Sequence, residues 1–409
     1  MKKYLIISLM IILMVVNYPV RVEGSSEPKI AAEAVEMVDA DTGQIIYQKH
    51  AQWQLPIASI TKLLTVAVIH DEIKHHQISP RTKVEITPDI AAISNDPRYS
   101  SIGLAGSQSY SVLELLNAAM VKSADGATVA LALAGGNSLD EFVTKMNQKA
   151  AQLGLKHYHI INPTGLSNGD MKMLKSADYS TDDENQLSAN DIAILTQYLW
   201  NSYPQLFQVS AQKAANFYIK PGEVKRIDNL NKMLPGNTYA VPGVKMLGLK
   251  TGTSPRAGAC FVSAGVYRGH RIITVVLHAD GDNPDNRFIQ TQALYRLLKQ
   301  HYHLQTMRVP TQLTLFKVKG ANITNLQVSS PKLTVWSNHS ITSGDIGSQL
   351  DTNFIKQGRL VRPVKKHQRI GKWYLVNHRL DTITGDPLQY PMYSRYPVKR
   401  GNLITRIIH

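Results

Sequence analysis

The order of structural signals along the chain predicts an α+β fold: an antiparallel sheet flanked by helices, with a helical lobe between its second and third strands. Three observations carry this. Apolar and polar residues alternate near the start of the chain and again from Met246. Between these stretches, residues 110–160 and 189–200 follow helical periodicity. From Val309 onward alternation dominates, turn residues recur at short intervals and long helical patterns are lacking. That last change predicts a small C-terminal β-sandwich, with a boundary near residue 305.

The chain has 409 residues, room for two or three domains. Lys2 and Lys3 precede an apolar run from Tyr4 to Val16, and Val22-Glu23-Gly24 fits a small-residue cleavage site. Residues 1–24 therefore read as a signal peptide. The run is shorter than the ~20 residues a spanning helix needs, so an uncleaved anchor is the lesser alternative. Ala34 to Val38, a turn at Asp41-Thr42-Gly43 and Gln44 to Tyr47 form a hairpin. An apolar helix runs from Ile60 to Ile69. Further helices carry Val112 to Met120, begin near Ser123, and span Leu139 to Leu153 and Ala189 to Trp200. Residues 166–187, rich in Asp, Ser and Asn, read as an exposed loop. Strands follow at Met246 to Thr253, Cys260 to Tyr267 and Ile272 to His278, the last two turned by Arg268-Gly269-His270. A closing helix runs from Asn286 to His301. The expected units are thus a leader at 1–24, a first domain at 25–304 and a β-rich domain at 305–409.

Cys260 is the only cysteine, so no intramolecular disulfide forms, and secretion without disulfides fits a bacterial envelope protein. Its apolar neighbours Ala259, Phe261 and Val262 mark it as a buried small hydrophobe rather than a nucleophile. The formal net charge is +15, falling to +13 without residues 1–24. A basic secreted protein is drawn to polyanions: teichoic acids or a membrane surface of anionic lipid headgroups. The leader argues against nucleic acid.

Four segments carry the chemistry: Ser59-Ile60-Thr61-Lys62, Ser123-Ala124-Asp125, Asn162-Pro163-Thr164-Gly165-Leu166 and Lys250-Thr251-Gly252-Thr253. S-x-x-K alone is weak, since it occurs four times here, but only Ser59 opens a strongly apolar helical run. Positions i and i+3 share a helix face, so Ser59 and Lys62 meet. The first, second and fourth segments match the S-x-x-K, S-x-N and K-T-G elements of serine acyltransferases. In that chemistry Ser59 is the nucleophile and Lys62 its base, with a pKa lowered by burial or a nearby cation. Lys250 supplies that cation and anchors a substrate carboxylate with the hydroxyls of Thr251 and Thr253. Ser123 relays a proton to the leaving amine, and the backbone N–H groups of Ser59 and Thr253 form the oxyanion hole. Against these stand simple helix caps at Ser59 and Ser123 and a plain turn at residues 162–166.

The chain resembles the low-molecular-mass penicillin-binding proteins that are D-alanyl-D-alanine carboxypeptidases, serine peptidases of family S11. The likeness runs from about Ala34 to the C-terminus. It rests on Asp39-Ala40-Asp41-Thr42-Gly43, Pro56-Ile57-Ala58-Ser59-Ile60-Thr61-Lys62, Asn229-Leu230-Asn231 and Gly248-Leu249-Lys250-Thr251-Gly252. The resemblance implies a β-lactamase/DD-peptidase-like fold. It also implies removal of the terminal D-alanine from peptidoglycan pentapeptide stems through an acyl-enzyme on Ser59, acylation by β-lactams such as penicillin, and no cofactor or metal. It adds Arg287 near the carboxylate site. Asp125, where the family has Asn, joins the expected substrate-binding set as a departure. A carboxylate beside Lys62 would oppose its role as base, so pairing with Lys250 or a retained proton is expected. The end at Ile407-Ile408-His409 is too short for the amphipathic anchor helix of many relatives.

Three rivals are weighed. A serine β-lactamase is favoured by Glu184-Asn185-Gln186-Leu187-Ser188, close to E-x-x-L-N, and opposed by the β-rich tail. A catalytically idle wall-binding protein is opposed by the intact Ser59, Lys62 and Lys250. A zinc carboxypeptidase would need ligand spacing that His70, His75 and His76 do not give.

Overall fold

The computed structural model describes residues 29–329 and 331–401. The leader expected at 1–24 and the last eight residues lie outside the described residues. Strands β1 (Ala32–Asp39) and β2 (Ile45–Lys49) form the expected hairpin. After a long helical excursion, β3 (Lys245–Ser254), β4 (Gly258–Tyr267) and β5 (His270–Ala279) make a meander that returns to β1. The order is β3-β4-β5-β1-β2, with every neighbouring pair antiparallel. Arg268 and Gly269 turn β4 into β5 with φ of +50° and +81°. Two positive φ values at a two-residue loop match the right-handed twist of the strands they join.

The lobe between β2 and β3 holds α1 (Lys62–Lys74), α2 (Val112–Val121), α3 (Asp125–Ala132), α4 (Leu139–Gln152) and α5 (Ala189–Ser202). Helix α1 is buried on all sides through Leu63, Leu64, Val66, Ala67 and Ile69, as a helix apolar all round must be. Capping boxes start α2 (Ser111 with Glu114) and α4 (Ser138 with Glu141), satisfying orphan N–H groups at each first turn. The closing helix α6 (Asn286–His301) has the expected bounds. The pleat divides the sheet between two cores. Val38, Val262 and Val275 face the lobe; Met37, Phe261 and Val276 face Phe288, Leu294 and Tyr295 of α6.

The α+β expectation holds, and Cys260 is fully buried, which pushes its thiol up to about 11. Residues 166–187 form the expected loop only in their middle, where Met173, Lys175, Asp178, Ser180, Thr181 and Asp182 are exposed; the two ends are anchored, with Asn168, Met171, Glu184 and Asn185 buried. The polar side chains serve as internal caps; Asn168 alone donates to the carbonyls of Ser176 and Tyr179 and accepts from the Ser176 amide. The hairpin of Ala214–Lys220 and Glu223–Asp228 had no forecast.

Beyond α6 the chain forms small antiparallel sheets around a third core that includes Leu333, Ile370, Trp373 and Met392. The strand His303–Arg308 already starts before residue 305 and pairs with Lys332–Ser337. Trp336 leaves that core and docks on the sheet of the first region. Its indole N–H donates to Asp39 Oδ2 (2.9 Å), its ring stacks on Tyr267, and Gln44 brackets its backbone with two hydrogen bonds. Asp39 Oδ2 also contacts His270 Nδ1 at 2.6 Å, while Oδ1 accepts from the amides of Asp41 and Thr42. This explains the Asp-Ala-Asp-Thr-Gly segment as a docking turn.

The hydrogen bond to Asp39 raises the pKa of His270 from 6.5. A group so raised stabilises fully below its unfolded pKa and loses that contribution as pH climbs through the folded one. The melting temperature is expected to fall through this contact as pH rises through the raised histidine value. His270→Gln should remove that part of the pH dependence in thermal melts; an unchanged slope would exclude the contact as its source.

Candidate active site

Ser59 sits in a single 3-10 turn, Ala58–Thr61, that leads straight into α1. Ala58 before it takes φ +45°, a costly conformation for a residue with a Cβ, which turns the serine toward the sheet edge. Neither Ser59 nor Ser123 caps a helix: no side-chain cap bond occurs at the start of the 3-10 turn, α1 or α3. Their hydroxyls go to lysines instead. Lys62 Nζ lies 2.6 Å from Ser59 Oγ, 2.7 Å from Asp125 Oδ1 and 2.8 Å from the Thr164 carbonyl. Asp125 and Thr164 accept two N–H bonds from the fully buried amine, and Ser59 Oγ takes its third contact.

Ser123, at φ +62° in the connection between α2 and α3, accepts from Lys250 Nζ at 2.8 Å. Lys250 projects from β3 and is itself buried. Two glycines allow this convergence. A Cβ on Gly252 would lie 2.3 Å from the Ile57 carbonyl, and one on Gly165 1.9 Å from that of Ala58. Only bare backbone lets β3 and the 162–166 turn approach the Ser59 segment from its two sides. Lys250 and Gly252 point to one face of β3, Thr251 and Thr253 to the other.

Burial is the largest influence on Lys62 and lowers its pKa; Asp125 works against it by charge and hydrogen bond. Lys250 is held well below its ordinary value by burial and then by the Lys62 charge. The expected pairing is corrected here: Asp125 pairs with Lys62, not Lys250, because it opens α3 directly beside α1. Its second oxygen accepts from the Ser100 amide at 3.1 Å.

Arg287, from the first turn of α6, donates to Thr253 Oγ1 (2.7 Å) and to the carbonyls of Gly252 and Cys260. Arg287 is buried yet has no carboxylate partner among these contacts, and burial lowers its pKa. Thr253 with Arg287 is thus a cationic corner at the end of β3. Ser59, Lys62 and Asp125 are in contact, as are Ser123 and Lys250; Thr253 and Arg287 form a corner on the other face of β3, near enough for the Arg287 charge to act on Lys250, and Thr251 lies between Lys250 and Thr253 on the same strand.

A supporting web behind these residues was not anticipated. Asn162 Oδ1 accepts from the Thr164 and Gly165 amides, shaping the turn whose carbonyl holds Lys62. Asn185 donates to Thr61 Oγ1 and to the Asn162 carbonyl and accepts from the Ile161 amide. The Asn-Pro-Thr-Gly-Leu motif carried the only signal for this. Glu184 accepts from Ser254 Oγ at 2.7 Å. That bond ties it to the end of β3, so the E-x-x-L-N likeness does not translate into a carboxylate bound to Lys62.

A serine hydroxyl bonded to a buried amine has a proton acceptor without histidine, which places this site among the serine hydrolases that work with lysine. The chain belongs to the S11 peptidase family, D-alanyl-D-alanine carboxypeptidase, whose model matches residues 21–281. It is 25% identical over 388 residues to D-alanyl-D-alanine carboxypeptidase DacF of Bacillus subtilis, covering 93% of this chain and 89% of that protein. With DacA of Haemophilus influenzae it shares 29% identity over 256 residues, 62% of this chain and 58% of that one. Among solved structures, PBP3 of Streptococcus pneumoniae, a peptidoglycan synthesis regulatory factor, superposes with a TM-score of 0.76 at 27% identity, covering 90% of this chain and 99% of that chain. The penicillin binding protein 5 of Haemophilus influenzae shares the fold, with a TM-score of 0.70 at 20% identity, over 92% of this chain and 100% of that chain.

Proposed function

We propose that this chain is a serine-type carboxypeptidase that removes the terminal D-alanine from peptidoglycan pentapeptide stems. The observation that carries the reading is the 2.6 Å contact between Lys62 Nζ and Ser59 Oγ in a site closed by β3. Family membership supplies the substrate class. In the first step Ser59 Oγ attacks the penultimate D-alanine carbonyl and its proton passes to neutral Lys62. The backbone N–H groups of Ser59 and Thr253 hold the oxyanion; losing one such donor typically costs ~10²–10³ in turnover. The Thr253 hydroxyl and the Arg287 guanidinium take the terminal carboxylate, with Thr251 on their face of β3 and Lys250 adding its charge from the opposite face. Ser123 relays that proton from Lys62 to the departing D-alanine amine, which leaves Lys62 neutral. Water then cleaves the Ser59 ester, with Lys62 accepting the water proton and returning it to Ser59 Oγ. A β-lactam enters the same path and leaves a long-lived acyl-enzyme.

This role places the protein outside the cytoplasm. Lys2 and Lys3 followed by the apolar stretch to Val16 support export, and the substrate lies in the envelope. No helix among the described residues is long and apolar enough to cross a membrane.

Intact-protein mass spectrometry after incubation with benzylpenicillin is expected to find one penicilloyl adduct, mapped to Ser59 and missing in Ser59→Ala. D-alanine release from a soluble pentapeptide should vanish in the same variant. An adduct on another residue would overturn the assignment.

A further inference from the structure

The outer face of the three-stranded sheet formed by Ile346–Leu350, Arg369–Leu375 and Gln389–Tyr393 bears two crevices that run into each other. One, of about 470 Å³, reaches Asp351 and Arg369; the other, of about 350 Å³, reaches His378 and Arg379. Gln349, Lys372 and Gln389 line both. The register explains why. Gln349 lies opposite Lys372, and Tyr374 opposite Gln389, so the four share a face while Trp373 turns into the core. Gly347 lies opposite Tyr374, and a Cβ there would sit 2.8 Å from the ring, so the tyrosine lies flat across the glycine. The groove therefore combines one aromatic ring, two amides and a central ammonium with an apolar flank of Leu375, Val376, Leu380, Pro387 and Leu388.

The charge along the groove is uneven. Neither Arg369 nor Lys372 has an ion-pair partner among the described residues, whereas Arg379 is paired with Asp381 at 2.9 Å and His378 faces Asp345 at 3.7 Å. Asp351 is the one acid at the other end, and it already accepts from the Asn353 amide. The free charge in the groove is thus cationic at two points, with neutral hydrogen-bonding amides beside and between them.

We propose that this groove holds a glycan strand of peptidoglycan, the polymer whose stems the active site trims; the inference rests on that reading of the site. Glutamine amides present a donor and an acceptor together, which suits sugar hydroxyl and acetamido groups. A tyrosine face covers the apolar side of a pyranose ring. Arg369 and Lys372 meet the free carboxylates of the stem peptides that such a strand bears at intervals. A phosphodiester polymer would call for a denser row of cations, and a bilayer for a protruding apolar surface rather than an amide-floored groove. Holding the polymer here raises the local concentration of stems at Ser59 without adding a contact at the site.

The test is co-sedimentation of the full chain, as Ser59→Ala to stop turnover, with peptidoglycan stripped of phosphodiester polymers. Parallel samples contain unstripped walls or phosphatidylglycerol vesicles. Stripped peptidoglycan is expected to pellet the protein, and Arg369→Glu with Lys372→Glu to weaken this about tenfold. Gln349→Ala with Gln389→Ala, which leaves the charge alone, should weaken it as well. With Ser59 intact, both double variants should still release D-alanine from a soluble pentapeptide at the parent rate. Binding to stripped peptidoglycan that ignores both double variants overturns the groove, and so does a preference of the parent for vesicles or phosphodiester-bearing walls. Failure of the parent on the soluble peptide would instead overturn the carboxypeptidase reading, leaving the pelleting result to judge the groove by itself.

Discussion

Lys62→Met is expected to cut acylation of Ser59 by at least about 10³-fold and to destabilise the protein by about 3–5 kcal/mol. The two losses have separate causes. The amine is the only base within reach of Ser59 Oγ among its side-chain contacts, so removing it strands the hydroxyl proton. The same amine is the cation of Asp125 in a fully buried pair at 2.7 Å. Removing one member of a buried pair leaves an uncompensated charge, which costs far more than deleting the pair as a whole. Lys62→Met combined with Asp125→Asn should therefore recover most of the stability while remaining inert toward penicillin. Denaturant unfolding and the rate of penicilloyl adduct formation read the two effects independently. A single variant that acylates at the parent rate would remove Lys62 as base. A double variant no more stable than the single would show that the pair is not what Lys62 contributes to the fold.

The local parts of this arrangement were legible in the sequence, and the long-range parts were not. Ser59 and Lys62 are three residues apart on one helix face, so their meeting follows from helix geometry alone. Lys250 was legible because K-T-G sits on an alternating strand. Which carboxylate would reach which lysine was not: Asp125 and Lys62 are 63 positions apart, and the packing of α3 beside α1 decides the pairing. Composition described the middle of residues 166–187 and missed its anchored ends. Asp, Ser and Asn there signal solvent, yet Asn168 and Asn185 spend their amides on buried backbone, which no periodicity records. Likewise the Asp39 turn looked like a hairpin loop, and its bond to Trp336, 297 positions away, exists only once the C-terminal sheets dock.

Asp125→Asn is expected to move the whole pH–rate profile for D-alanine release toward lower pH, with the enzyme still active. The sign follows from what acts on each lysine. Burial lowers the pKa of Lys62, and the charge of Asp125 partly reverses this. An amide in its place has one oxygen where the carboxylate has two, so it accepts from Lys62 or from the Ser100 amide but not from both, and it no longer favours the ammonium. Lys62 then becomes neutral at lower pH, and the acid limb, where the base must lose its proton, shifts down. Lys250 feels Asp125 in the same direction, so without that charge it gives up its proton at lower pH too. The basic limb, where the carboxylate anchor must stay charged, therefore follows. kcat/KM measured across pH for the parent and Asp125→Asn separates the cases. An acid limb that stays put or moves up would show that Asp125 does not hold the Lys62 proton. Movement of the acid limb alone would confine the carboxylate's influence to the base and take Lys250 out of its reach.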